Sequence, residues 1–299
     1  MAVRNGSRGD DGIEGCALEA RPLRSDFEAR WRGVPAMSLP VALTDPETPV
    51  ELLALLLARD EYPGLSVDAC LDKLDELAAP LRIHAMLGKR GISGLEPRDQ
   101  AEALRRLVYE ELGFRGNESD YYDPRNSYLC DVIERRVGIP ITLAIVLIAI
   151  GRRAGVQVDG IGFPGHFLAR IGGEGGVFVD PFFEGRIVGD GALERLAERF
   201  LGSPTKLRPE HLHVVGPRAL VVRMLVNLKH AHERRQDHAR ALVVSDRLVD
   251  VTASSTFRRD RGLHALALGA SAAAIEDLEA YLRAVGTPPD ELAVRRALA

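Results

Sequence analysis

From Ile141 to Ile150 the only polar side chain is Thr142. A helix over that run has no face to offer water, and a helix apolar all round belongs in the interior of a fold. The run is too short to cross a bilayer, which takes about 20 apolar residues. Its start is marked by Gly138, Ile139 and Pro140, because proline is tolerated in a first turn, where its missing N–H has no intrahelical partner to lose. Its end carries Arg152, Arg153 and Gly155, cations and a glycine where the helix dipole and the last carbonyls favour them.

Downstream the apolar period shortens to two. Val156, Val158, Gly160 and Phe163 alternate with polar or small residues; Phe167 and Ala169 alternate with Leu168 and Arg170, and Val177 and Val179 bracket Phe178. Gly172, Glu174 and Gly176 form a turn-rich joint, so the spacing predicts an antiparallel hairpin from His166 to Asp180. His166 opens its first strand and Asp180 closes its second, which brings the two ends face to face. A carboxylate so placed orients an imidazole, the second half of a nucleophile–His–carboxylate arrangement. The first half calls for a Cys or Ser at the N-terminus of the buried helix, where the dipole lowers a thiol's pKa.

The words NSYL, ERRVGIPITL, GRRAGV, GIGFPGHFLAR and FVDPF resemble the SirB-type branch of the transglutaminase-like superfamily. So do EYPGLSVDACLDKLDELA and YYDPRNSYL upstream and RDRGLHALALG and AIEDLEAYL late in the chain, so that the resemblance runs over roughly residues 45 to 295. It implies a transglutaminase-like, papain-like core in which a Cys begins the buried helix and a His and an Asp follow on strands. His166 and Asp180 match that pattern. The Cys does not: at the helix start this chain has Pro140, Ile141 and Thr142. The candidate pocket takes in Asn126, Glu134, Thr142, Pro164, Gly165 and Tyr122, with Cys130 as the candidate thiol.

Around that core the chain reads as helical. Residues 1–40 interleave Arg, Asp, Glu and Gly with little apolar periodicity and are predicted to be a flexible leader holding an exposed Cys16. Helices are predicted after Asp45–Pro46–Glu47, from a Ser66 N-cap, and from Pro97 to Gly113. Cys70 falls on the apolar stripe Val67, Cys70, Leu71, Leu74, Leu77, Ala78 and reads as a core residue. Tyr121 and Tyr122 lie in an acidic loop, either lining a pocket or capping the surface. A short helix holds Leu129, Val132 and Ile133, and spacing leaves open which way its Cys130 faces. After a helix at 192–201, a Pro-broken connection carries His211 and His213, read as a surface segment rather than a metal site.

From Pro217 everything reads as helix. Ala219, Val222, Leu225 and Leu228 form one stripe, and Ala241, Val244 and Leu248 the next. Ala241 and Leu242 correspond to Ala274 and Ile275 at an offset near 33, close to the 34-residue tetratricopeptide repeat. Pro289 is placed in the first turn of a terminal cap. The fold class is α+β: a leader (1–40), a core with N-terminal helices and a small antiparallel sheet (41–206), and an all-α tetratricopeptide-like unit (217–299).

Net charge is −4 and the three Cys are odd in number and widely spaced. That pattern carries no nucleic-acid footprint, disulfide framework or zinc motif, and no cofactor or membrane partner is implied. The reading is a cytoplasmic protein whose core lacks the helix-start Cys, a non-catalytic binding or regulatory protein with a protein or peptide partner. The alternative is a cysteine-dependent acyl transferase or peptidase using Cys130 with His166 and Asp180; a weaker version uses Thr142.

Overall fold

The computed structural model describes residues 31, 37–86, 91–189, 191–202 and 206–298. The chain divides into Met1–Arg32 and the compact unit Gly33–Ala299. Cys16 and the leader up to residue 36 lie outside the described residues, Trp31 excepted. In the larger unit the first element, α1 (Leu39–Ala42), begins inside the stretch read as leader and buries Leu39 and Ala42.

Helices α2 (Val50–Ala58) and α3 (Val67–Met86) come next. Ser66 Oγ accepts from the Ala69 N–H at 3.2 Å, capping α3 as its position predicts. α4 (Pro97–Arg105) runs on into a π-helical turn, Arg106–Glu111, instead of continuing as α-helix to Gly113. The short α5 (Leu129–Arg135) ends on Arg136 in the left-handed region, and the buried α6 spans Pro140–Arg153. All of α6 from Pro140 to Leu147 is buried, so its apolar composition is spent on contacts around the whole circumference.

Strands β1 (Arg115–Gly116) and β2 (Val137–Gly138) form a minimal parallel pair. Strands β3 (Val158–Ile161), β4 (Leu168–Ile171), β5 (Val177–Asp180) and β6 (Arg186–Val188) form an antiparallel sheet in chain order. The expected hairpin is β4–β5, registered Ala169 to Val179 and Ile171 to Val177. α6 lies against this sheet so closely that a Cβ on Gly151 would stand 2.5 Å from Val158 Cγ2. α7 (Ala192–Leu201) covers the sheet with Leu193 and Ala197, which join Ile161, Phe163 and Leu168 in one cluster.

The rest is helical: α8 (Pro217–Arg234), α9 (His238–Thr252), α10 (Ser255–Ala267), α11 (Ser271–Val285) and α12 (Glu291–Leu298). α9 and α11 are both 15 residues long, and their first residues are 33 apart, the offset seen in the sequence. The buried residues of α8 are Leu220, Val221, Met224, Leu225 and Leu228, among others. Ala219 is exposed and Val222 only half-buried, so the predicted stripe is displaced by a residue at its start. The cause is that α8 packs on two sides, against α9 and against α2, which a single-stripe reading does not anticipate. The terminal helix starts at Glu291, beyond Pro289, and Asp290 just ahead of it accepts from Tyr281 Oη and Arg259.

Candidate functional site

The loop before α5 fixes the entrance to the core. Asn126 is fully buried: its Nδ2 donates to the Asp120 and Tyr121 carbonyls at 2.8 and 3.2 Å, and its Oδ1 accepts from Asn117 Nδ2 at 3.0 Å. It pins the loop from within and turns no polar atom to a pocket. Thr142, also fully buried, belongs to the same knot. Its hydroxyl donates to the Asn126 carbonyl at 2.7 Å and accepts from the Ile139 N–H at 3.1 Å. At the place where the resemblance puts a nucleophile stands a hydroxyl spent on closing the helix start.

His166 sits in the turn ahead of β4, and Asp180 ends β5. His166 Nε2 lies 2.9 and 3.0 Å from the two carboxylate oxygens. An ionised carboxylate only accepts, so Nε2 carries the proton and Nδ1 is the nitrogen left over. Asp180 Oδ1 also accepts from the Phe182 and Phe183 N–H groups at 3.0 and 3.3 Å. Both side chains are buried. No described hydroxyl or thiol hydrogen-bonds Nδ1.

Aromatic rings surround the pair. Phe200 of α7 stacks on the imidazole, centroids 4.4 Å apart and planes 11° from parallel. Gly165, in a left-handed backbone with φ +68°, makes that stacking possible, since a Cβ there would be 2.7 Å from Phe200 Cβ. Pro164 is half-buried and Gly165 exposed beside it. Phe183 is 6.4 Å from the imidazole, Phe182 is 5.3 Å from Phe183, Tyr121 is 5.8 Å from Phe182, and Tyr122 is 5.3 Å from Tyr121. The loop tyrosines are thus part of a ring chain reaching His166 as well as surface residues.

Helix α8 touches the site from the repeat side. Arg223 Nη2 donates to the His166 carbonyl at 2.7 Å, and its guanidinium lies 5.2 Å from the Phe167 ring centroid. Arg235, just past α8, donates to the Tyr122 carbonyl and pairs with Asp120 at 2.7 Å.

Cys130 belongs to a different neighbourhood. Burial, then the Asp131 carboxylate, push its thiol up to about 12, and Cys70 adds to the same side. That is the reverse of an activated thiolate. Burial raises the half-buried Cys70 thiol too. Glu134 is exposed on α5, while its neighbour Arg135 reaches back to Asp123 at 3.3 Å. His211 lies in a 3₁₀ turn, its Nδ1 accepting from the Arg208 N–H. Among the described residues no group of three or more His, Cys, Asp or Glu is arranged to hold a metal.

Three participants are not visible in the sequence pattern. Phe200 is there only one apolar residue of an amphipathic helix, and Arg223 only a polar position between stripes. Tyr109 lies in the π-helical turn, buried, its hydroxyl without a partner among the described residues. Burial first, and the Asp180 carboxylate second, raise that phenol. No local pattern marks any of them, because each meets the site through tertiary packing.

The profile of the transglutaminase-like superfamily matches residues 68–226, and a tetratricopeptide-repeat profile matches residues 228–299. A UPF0162 protein of Xylella fastidiosa is 38% identical over 249 residues, covering 81% of this chain and 86% of its own length. A UPF0162 protein of Vibrio cholerae is 31% identical over 210 residues, 68% of this chain and 77% of that one. The human F-box only protein 21 is 36% identical over 94 residues, 28% of this chain and 15% of that protein. No solved structure matches. With its core and its repeats both matched, the chain belongs to the SirB-type, UPF0162 family of the transglutaminase-like superfamily.

Proposed function

We propose that the protein is a non-catalytic binding protein in which the transglutaminase-like core presents a recognition surface for a protein or peptide. The observation that carries this is Thr142: the group at the nucleophile's place is fully buried and its hydroxyl is committed to the Asn126 carbonyl and the Ile139 N–H. A thiol pushed up to about 12 at Cys130 supports it, because acyl transfer through cysteine needs the thiolate. In this reading His166 and Asp180 hold the β4–β5 end together and give the aromatic rings a fixed base. The repeats supply further contact surface. The net charge of −4 favours proteins over nucleic acid as partners. The few unpaired cysteines suit the cytoplasm, and no described helix is long and apolar enough to cross a membrane.

The test is alkylation of Cys130 by iodoacetamide against pH, followed by peptide mapping, in the wild type and in His166→Ala. We expect a slow reaction below pH 9 that is the same in both proteins. A fast reaction at neutral pH that disappears in His166→Ala would establish a Cys–His pair and overturn the non-catalytic reading.

A further inference from the structure

Three guanidiniums lie on aromatic rings near His166, two of them on the ring chain and Arg223 on Phe167, and none has a carboxylate partner among the described residues. Arg199 is 5.2 Å from the Phe183 centroid and 5.9 Å from that of Phe200. Arg234 is 4.7 Å from the Tyr122 centroid at the other end. Arg223 stands between them, half-buried, with the His166 carbonyl as its polar contact. Arg105, Arg153, Arg170, Arg240, Arg247 and Arg261 are each paired with an acid, whereas Arg136, over the Phe114 ring, is not among the described residues.

Phe167 beneath Arg223 is buried, and the rings at the two ends are open to solvent. Tyr121 is 41% exposed, Tyr122 40% and Phe200 37%. They are not mobile decoration: the tyrosine loop is held by Asn126, and Arg235 ties it to the repeat side. Pre-ordered aromatic residues with arginines are the residue types that dominate binding energy at protein interfaces. Cations lying on rings can keep that contact while accepting a carboxylate at their edge, since a guanidinium has five N–H donors.

Resting on the binding-protein reading above, we propose that this strip docks an acidic, aromatic-bearing segment of a partner protein. Its carboxylates pair with Arg199, Arg223 and Arg234, and its apolar side chains pack between Tyr121, Tyr122 and Phe200. Charge selects the occupant: a basic or neutral segment would leave the three cations without anions, and burying an unpaired guanidinium is costly.

The test uses the full chain and a labelled synthetic peptide of alternating Glu and Phe or Tyr, read by fluorescence anisotropy. Its controls are the twin with Gln in place of Glu and the twin with Lys. We expect the Glu peptide to bind at least tenfold more tightly than either twin, and to weaken with added salt. The exposed-site variant Arg199→Gln/Arg234→Gln should lose at least tenfold with an unchanged Tm, and Tyr121→Ala/Phe200→Ala should lose binding of all peptides. Equal binding of the Glu and Gln peptides, no binding of either, or wild-type affinity in the arginine variant would each overturn the proposal. Cleavage or covalent capture of the bound peptide would instead sink the non-catalytic reading and leave the docking strip standing.

Discussion

A Cβ at Gly165 would stand 2.7 Å from the Cβ of Phe200, on a backbone whose φ is +68°. The glycine of the PGHF word is therefore matched to the close approach of Phe200 on another element. Gly165→Ala should cost about 1–3 kcal/mol, from a strained φ plus the displaced ring. Combining it with Phe200→Gly, which removes the opposing Cβ, should recover the steric part, leaving the φ part. Thermal unfolding of the two single variants and the double checks it; strict additivity would mean the two residues do not compete for space.

Thr142 offers a second measurement. Thr142→Val keeps the shape but leaves the Asn126 carbonyl and the Ile139 N–H without their partner in a fully buried place. Leaving such groups unsatisfied costs about 1–3 kcal/mol. Thr142→Ser should stay within a fraction of that in denaturant unfolding. A stable Val variant would show that the hydroxyl is not what closes the helix start.

A buried ion cluster ties α2 to α6 and α3. Glu51 is fully buried and accepts from Arg152 and from Arg153 Nη1, while Arg153 Nε donates to Asp75 at 2.5 Å. Burial raises the Glu51 carboxyl, but the two arginines outweigh it and hold it below the usual range. Glu51→Gln should lose about 3–5 kcal/mol, the scale of leaving a buried charge uncompensated. Urea denaturation reads it, and a loss under about 1 kcal/mol would mean that Arg153 finds compensation elsewhere.

The repeats carry an acid-sensitive contact. Burial raises the Glu233 carboxyl, yet His264 and Lys229 prevail and bring it down to about 2. Its folded pKa thus lies below the unfolded value of about 4.3. The stabilisation is present above about pH 4.3 and is lost as pH falls toward about 2. Stability followed from about pH 6 to 2 should fall in that window, and Lys229→Met should flatten the fall.

Local pattern and tertiary placement divide what the residues reveal in advance. The β4–β5 hairpin was legible because alternation and a glycine-rich joint are written within a few residues, and its register brings Asp180 opposite Leu168, two residues from His166. The buried helix was legible because nothing but a core accepts it. The sequence puts Asn126 with the pocket residues and Phe200 on the apolar side of a helix. The first is buried in a knot with Asn117, and the second stacks on His166, contacts made across the fold that no short window contains. Ala219 failed for a related reason, since α8 answers to two neighbours at once. Whether the site is used for chemistry was not legible either, because His and Asp look the same whether they serve a reaction or brace a hairpin.

The superfamily match stops at residue 226 and the repeat match begins at 228, yet Pro217–Arg234 is one helix, and it donates to the His166 carbonyl through Arg223. The border between the two matched regions therefore crosses the middle of an unbroken element. A chain severed there leaves each fragment with half a helix and an apolar face that the other half had covered. Grafting either half onto a foreign scaffold therefore calls for carrying the whole helix with it.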